Sequence, residues 1–365
     1  MYSDSDLDEA IAAGAISAEA AASLRAHLDR QRSSPAVDEE QFRLLTGFND
    51  IFVSIAAAIL LFAVAWIGSQ IGPRIEGEGP SPIGAAGVAG VAWGLALFFT
   101  ARRRMALPSI LLLLAFVGGV FATAGLSFAL AVGPDQLNNN PQLGGLIGAA
   151  AAAAGAVAAW LHWRHFRVPI TVAAGAGAVA AIGVGLLVAV LGERADTARD
   201  LILGVVLLLG VGMFLFAMWW DASDRSRVSR RSDVAFWLHL LAAPMIVHPV
   251  FTLLGLNDGQ ASVGEGFVVV LLYIALGLTA LAIDRRALLV SALAYVLWAL
   301  ADLFKRFGAV ELNVALTALV IGSALLLLSA CWHQARAAVV RPLPESLRQR
   351  LPVLDRSIVS PQPAA

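Results

Sequence analysis

Apolar residues in this chain run in stretches of about 20, too long for strands and without the polar stripe that marks a soluble helix. Ten such stretches stand out, at residues 51–71, 83–100, 107–132, 143–161, 168–191, 201–220, 234–254, 267–283, 287–304 and 310–332. At a rise of about 1.5 Å per residue, each matches a hydrocarbon core of about 30 Å. The pattern predicts an all-α, polytopic transmembrane bundle of ten spans over residues 50–332. A small helical hairpin precedes it (1–31), followed by a linker (32–49), and a partly disordered tail follows (333–365).

Composition agrees. The 365 residues are 59% hydrophobic and 14% charged, with a mean hydropathy of +0.78, against about one quarter charged in soluble proteins. The formal net charge of −1 hides a segregation, because basic and acidic residues fall in different loops and cancel only in the sum. Nucleic acid is not implied. The first forty residues lack the apolar core and small-residue cleavage site of a signal peptide, which leaves the first span as the targeting element.

Threaded with the N-terminus inside, the inner segments hold twenty of the twenty-five basic residues. They are Arg25, Arg30, Arg32, Arg43, Arg102, Arg103, Arg104, Arg164, Arg167, Arg225, Arg227, Arg230, Arg231, Arg285, Arg286 and five more from Arg336 to Arg356. Cytoplasmic loops retain Lys and Arg, so this bias predicts cytoplasmic termini. Trp160, Trp163, Trp219, Trp220, Trp237 and Trp332 fall near the same interface, where an indole is favoured. The ninth stretch is short and carries Asp302. An odd number of crossings would expel the arginine-rich tail, so the charge bias argues that the ninth and tenth form a hairpin turning near Gly308.

The N-terminal pattern has Leu7 and Ile11 on one face, Gly14 as a helix stop and Ser17 as the cap of a second helix bearing Leu24 and Leu28. The run Leu7, Ile11, Gly14, Ile16, Ser17, Ala21, Leu24 resembles the SHOCT-like helical hairpins at the ends of bacterial membrane proteins. It is also similar to the N-terminus of an uncharacterised family of bacterial multi-spanning membrane proteins. The resemblance covers about thirty residues, carries no catalytic residue, and implies a bacterial inner-membrane location. A hairpin of that size buries too little apolar surface to fold well alone, so it docks on the inner loops, a second copy or a protein partner.

Ionisable groups inside membrane helices are costly and are first read as functional. His248 in the seventh span, Asp302 in the ninth and Glu311 at the start of the tenth fall toward the outer side as a candidate polar, proton or ion site. His239 lies nine residues before His248, on the opposite helix face and about 13 Å away along the axis; it reads as a polar packing residue of the inner half. Asp50 suits the positive end of the first span's dipole. Asp221 and Asp284, beside loop arginines, read as anchors. His162 and His165 are spaced to share a metal but have no third ligand in sequence.

No P-loop, His-Glu-x-x-His or Gly-x-Ser-x-Gly motif occurs, and the lone Cys331 excludes a multi-cysteine metal site. The expectation is a non-enzyme without cofactor or metal, whose partners are the lipid bilayer and, through the hairpin, a protein. The leading expectation is transport or conduction of a small solute or ion; the alternative is a non-transporting scaffold or sensor whose N-terminal hairpin binds a cytoplasmic partner. A polar cavity reaching the midplane near His248 and Asp302 would favour the first, and a dry Gly/Ala-packed interior the second.

Overall fold

The computed structural model describes residues 10–24, 48–74, 79–195, 197–225, 227, 229–255, 263–286, 288–289, 293, 297, 313–352 and 354; among them there is helix and no strand. The chain divides into two units, Met1–Arg43 with Asp355–Ala365, and Leu44–Leu354.

In the first unit, residues 10–12 are helical and the chain turns through Gly14 at φ +70°. Gly14 N–H donates to Ile11 O at 3.0 Å and Ala15 N–H to Ala10 O at 2.9 Å, the paired bonds of a Schellman stop. Residues 18–24 are helical again, and Ser17 Oγ accepts the N–H of Ala20 at 3.1 Å as an N-cap. Leu7 and Leu28 of the expected hairpin lie outside the described residues.

The second unit consists of α1 (Phe48–Ser69), α2 (Pro82–Phe99), α3 (Ala106–Val132), the short α4 (Pro134–Asn139), α5 (Pro141–Phe166) and α6 (Ile170–Leu191). A 3-10 turn, α7 (Arg199–Ala222), α8 (Arg230–Leu253), α9 (Val263–Ile283), α10 (Asn313–Ala330), α11 (Trp332–Val340) and α12 (Glu345–Arg348) follow. Seven helices, α1, α2, α3, α5, α6, α7 and α8, are long and apolar enough to cross a membrane. The protein is an integral membrane protein of the all-α class.

Seven of the ten expected spans are these helices; of the other three, the eighth, 267–283, falls in α9, whose apolar run Leu271–Ile283 is shorter than a crossing helix. The tenth, 310–332, is an apolar helix that stops at Ala330 and bends by 76° into α11; taken as one broken span, this pair makes an eighth crossing helix. Just past the bend, the Trp332 indole bonds a buried carboxylate described below. The ninth, 287–304, falls largely outside the described residues, of which 288, 289, 293 and 297 are helical. Residues 333–352, read from sequence as part of the tail, form α11 and α12 and pack Val340 and Leu351 into the core.

Small residues set the helix spacing. A Cβ on Gly145 of α5 would lie 2.4 Å from the backbone N of Ala189 in α6, and one on Gly185 would lie 2.8 Å from the backbone N of Ala149. The two backbones are therefore in direct contact. Apolar side chains gain nothing over lipid in such a setting, so close packing supplies the association energy. Gly68 with Gly84 (2.4 Å) and Gly210 with Met245 (2.8 Å) repeat the arrangement at α1–α2 and α7–α8.

The two ends of the bundle turn the chain by different means. The turns after α1, α3, α6 and α8 place glycine at positive φ: Gly72 and Gly79, Gly133, Gly192 and Gly255. Those after α2, α5, α7 and α9 use Arg104, Arg167, Arg227 and Asp284, at φ between 53° and 58°. The left-handed region costs a side-chain-bearing residue about 1 kcal/mol, so something at the second end must hold these residues there.

Candidate functional site

That something is visible at Asp284. Its N–H donates to Leu281 O at 3.3 Å and the following N–H, of Arg285, to Ala280 O at 2.8 Å. This is a Schellman ending with aspartate in the place glycine usually takes. The carboxylate is fully engaged: Arg227 Nη1 donates to Oδ2 at 3.0 Å, Trp332 Nε1 donates to Oδ1 at 2.8 Å, and Arg336 Nε stands 3.6 Å from Oδ1. Arg227 Nη2 also donates to Ile283 O at 2.8 Å, satisfying a terminal carbonyl of α9.

A second cluster adjoins it through Arg285. Asp221, in the last turn of α7, accepts from His239 Nε2 of α8 at 2.9 Å and from Arg285 Nε at 3.3 Å, while Arg285 Nη2 bonds Asp221 Oδ1. The same Nη2 reaches Ser232 O at 3.0 Å and Ser232 Oγ at 3.2 Å. One guanidinium thus ties the end of α7, the start of α8 and the turn after α9. Asp221 is 2% exposed, Arg285 2% and His239 0%. His239 Nδ1 has no hydrogen-bond partner, as suits a ring whose only N–H is on Nε2, and the Phe214 ring lies edge-on at 5.2 Å.

The C-terminal segment covers this end. Arg336, 1% exposed, donates from Nη2 to Pro352 O at 2.7 Å, and Arg225 donates to Leu351 O at 3.1 Å and Arg348 O at 3.3 Å. Asp224 accepts both the N–H (2.9 Å) and the hydroxyl (2.7 Å) of Ser229, the N-cap of α8. Among the described residues, every buried Asp and Arg except Asp50 belongs to this region: Asp221, Asp224 and Asp284 against Arg227, Arg285 and Arg336. Three charges of each sign balance, so burial leaves no uncompensated ion.

The residues singled out from sequence fall in different places. His239 is in the cluster, with both aspartates read as anchors. His248 is exposed on the other side of α8, where its carbonyl accepts from Thr252 Oγ1 at 2.9 Å. Asp302 and Glu311 lie outside the described residues. His162 is buried, with Nδ1 3.2 Å from Thr171 Oγ1 and its ring against Phe166, whereas His165 is exposed. Among the described residues, no group of three His, Cys, Asp or Glu side chains could hold a metal. Sequence reasoning missed the roles of Arg227, Arg285, Arg336 and Trp332; the available signal was the crowding of charge in two short turns, Asp224, Arg225 and Arg227 after α7 and Asp284, Arg285 and Arg286 after α9.

Comparison with family models, curated proteins and solved structures finds no match to this chain.

Proposed function

We propose that this protein is a non-transporting scaffold or sensor of the bacterial inner membrane, with both termini in the cytoplasm and its arginine-rich end turned toward a cytoplasmic partner. The distribution of buried charge carries this reading. Every buried Asp and Arg among the described residues sits at a helix end or in the segments that join and follow the helices. At the opposite end, the crossings of α1 with α2 (Gly68, Gly84) and of α5 with α6 (Gly145, Gly185, Ala189) are made by glycine and alanine at backbone contact, which leaves that end of the interior close-packed. Such an interior resists opening, and the ionic end is a place where a partner acts on the bundle. The orientation is supported by the twenty basic residues of the inner segments.

A second reading, transport of a small solute or ion, is supported by His248, which is exposed on α8 beside Pro249 and is joined in the sequence argument by Asp302 and Glu311. Flux through liposomes containing the purified protein separates the two. The scaffold reading expects proton, potassium and glycerol permeation equal to that of protein-free liposomes. Permeation above that level which His248→Ala removes would establish transport instead. Photo-crosslinkers placed at the exposed Arg231 and Arg341 should capture one discrete partner in intact cells, and a crosslinker at Gln70, at the opposite end, should not.

A further inference from the structure

The arginine-rich end is not balanced everywhere. Around α7, α8 and α9 each buried arginine meets an aspartate, but α2, α3, α5 and the turns 100–105 and 167–169 contain Arg102, Arg103, Arg104, Arg164 and Arg167 with no Asp or Glu at all. All five are exposed. The nearest carboxylate in the adjoining helix, Asp50 at the start of α1, is buried with its interactions already made. Among the described residues, this half of the end therefore has a cationic excess without a carboxylate to balance it.

Beside that excess lies a cleft of about 710 Å³ between α2 and α5, with Trp93 and Phe116 on its walls and Ala89 and Gly90 along its floor. Its volume falls within the range of about 300–1,000 Å³ typical of ligand sites. Gly90 has no heavy atom within 4 Å of where a Cβ would stand, which leaves the floor open. The aromatic wall is built: Trp93 packs on Phe116 at 4.9 Å and on Phe166 at 5.1 Å, and Phe166 in turn packs on the buried His162 at 4.6 Å. At the rim stand Arg164 and His165, the latter 5.5 Å from the Trp93 ring. Arg164 is held over Trp160 at 5.3 Å, so its guanidinium sits at interfacial depth with donors to spare.

An apolar slot that ends in a guanidinium and a ring N–H donor, on the outer surface of a membrane bundle, matches one molecule class by shape and charge. We infer that the α2–α5 cleft binds an anionic phospholipid, with an acyl chain along Ala89, Gly90 and Trp93 and the phosphate at Arg164 and His165. A zwitterionic lipid fits the slot equally well but brings no net negative charge to Arg164 at the rim. The headgroup, not the chain, therefore carries the selectivity.

The full-length protein, placed in nanodiscs of equal parts phosphatidylcholine and phosphatidylglycerol with identical acyl chains, is released and weighed intact by native mass spectrometry. Wild type should retain phosphatidylglycerol preferentially. Arg164→Gln should lower that preference about fivefold, the effect of one basic residue near a membrane surface. Arg164→Lys should restore most of it, and Arg341→Gln, an exposed arginine of the C-terminal segment, should leave it unchanged. Because Arg164 is exposed, the variants should keep the wild-type melting temperature in phosphatidylcholine alone, which separates binding from folding. Equal retention of the two lipids, an unaffected Arg164→Gln, or an equal loss in Arg341→Gln overturns the inference. So does displacement of the retained lipid by inorganic phosphate, which would make the site one for a free anion.

Discussion

Asp221 and His239 meet at 2.9 Å across the crossing of α7 and α8, and neither is more than 2% exposed. The imidazole donates from Nε2 to a carboxylate oxygen that Arg285 also approaches. The carboxylate is thus the hub of a three-way junction, and the histidine is one of its spokes. The two residues should differ in cost when removed. Asp221→Ala strands the Arg285 guanidinium without its buried counter-charge and should cost about 3–5 kcal/mol. His239→Ala removes one hydrogen bond to a charged group and should cost about 1.5–3 kcal/mol. Unfolding of both variants and the double variant in one detergent checks the order, and the double variant should fall short of the sum.

Much of the fold is legible in the sequence, because membrane helices are read from run length alone. The stretch read as 107–132 is α3 at Ala106–Val132, and 168–191 is α6 at Ile170–Leu191. The site is less legible. Asp221 and Asp284 could be placed beside arginines by their neighbours in sequence, yet the arginines they bind arrive from 64 and 57 residues away. Nothing in a one-dimensional pattern specifies which loop meets which. The bend at Cys331 escaped for a related reason: the hydropathy of the run continues into Trp332, whose indole bonds a carboxylate in the turn after α9.

Glycines in the same helix should differ sharply in tolerance. A Cβ at Gly145 meets the α6 backbone at 2.4 Å, whereas one at Gly148 meets nothing within 4 Å. Gly145→Ala should therefore destabilise by about 1–3 kcal/mol through overpacking. Gly148→Ala should be neutral or slightly stabilising, through the higher helix propensity of alanine. Melting temperatures of the two variants in one detergent test the contrast; equal values would mean that α5 and α6 do not touch where the structure places them.

Left-handed arginines offer a test of opposite sign. Arg167 at φ 53° is exposed, so Arg167→Gly should relieve backbone strain and stabilise by about 1 kcal/mol. Arg227 has nearly the same φ, 54°, but its guanidinium bridges Asp284 and the carbonyl of Ile283. Arg227→Gly should destabilise, because the buried Asp284 loses a counter-charge worth more than the strain recovered. Chemical denaturation that moved both variants the same way would show that the ion pair is not what holds the second turn.

Topology can be read directly from reporters fused after Asn139 and after Arg230. Three crossing helices, α5, α6 and α7, separate the two points, so the reporters should appear on opposite sides of the membrane. The basic-residue bias further expects the Arg230 fusion inside. Detection of both on one side would require one of these helices to lie within a single leaflet.

Trp332 joins the bent C-terminal segment to the buried cluster, and the indole N–H is the atom to remove. Trp332→Phe keeps most of the ring that Arg286 stacks on at 4.9 Å and deletes the 2.8 Å donor to Asp284 Oδ1. The carboxylate keeps Arg227, so the loss should be about 1.5–3 kcal/mol, as for one hydrogen bond to a charged acceptor, without collapse of the bundle. Proteolysis should then open the chain between Val340 and Leu351 faster than in wild type, because Val340 and Leu351 pack into the same core cluster as Trp332. Deleting the chain after Cys331 removes Arg336 as well and should expose both Asp284 and Arg227 to the arginine-rich face. If the scaffold reading is right, this truncation changes which residues of that face crosslink to the partner while leaving liposome permeability at its protein-free level.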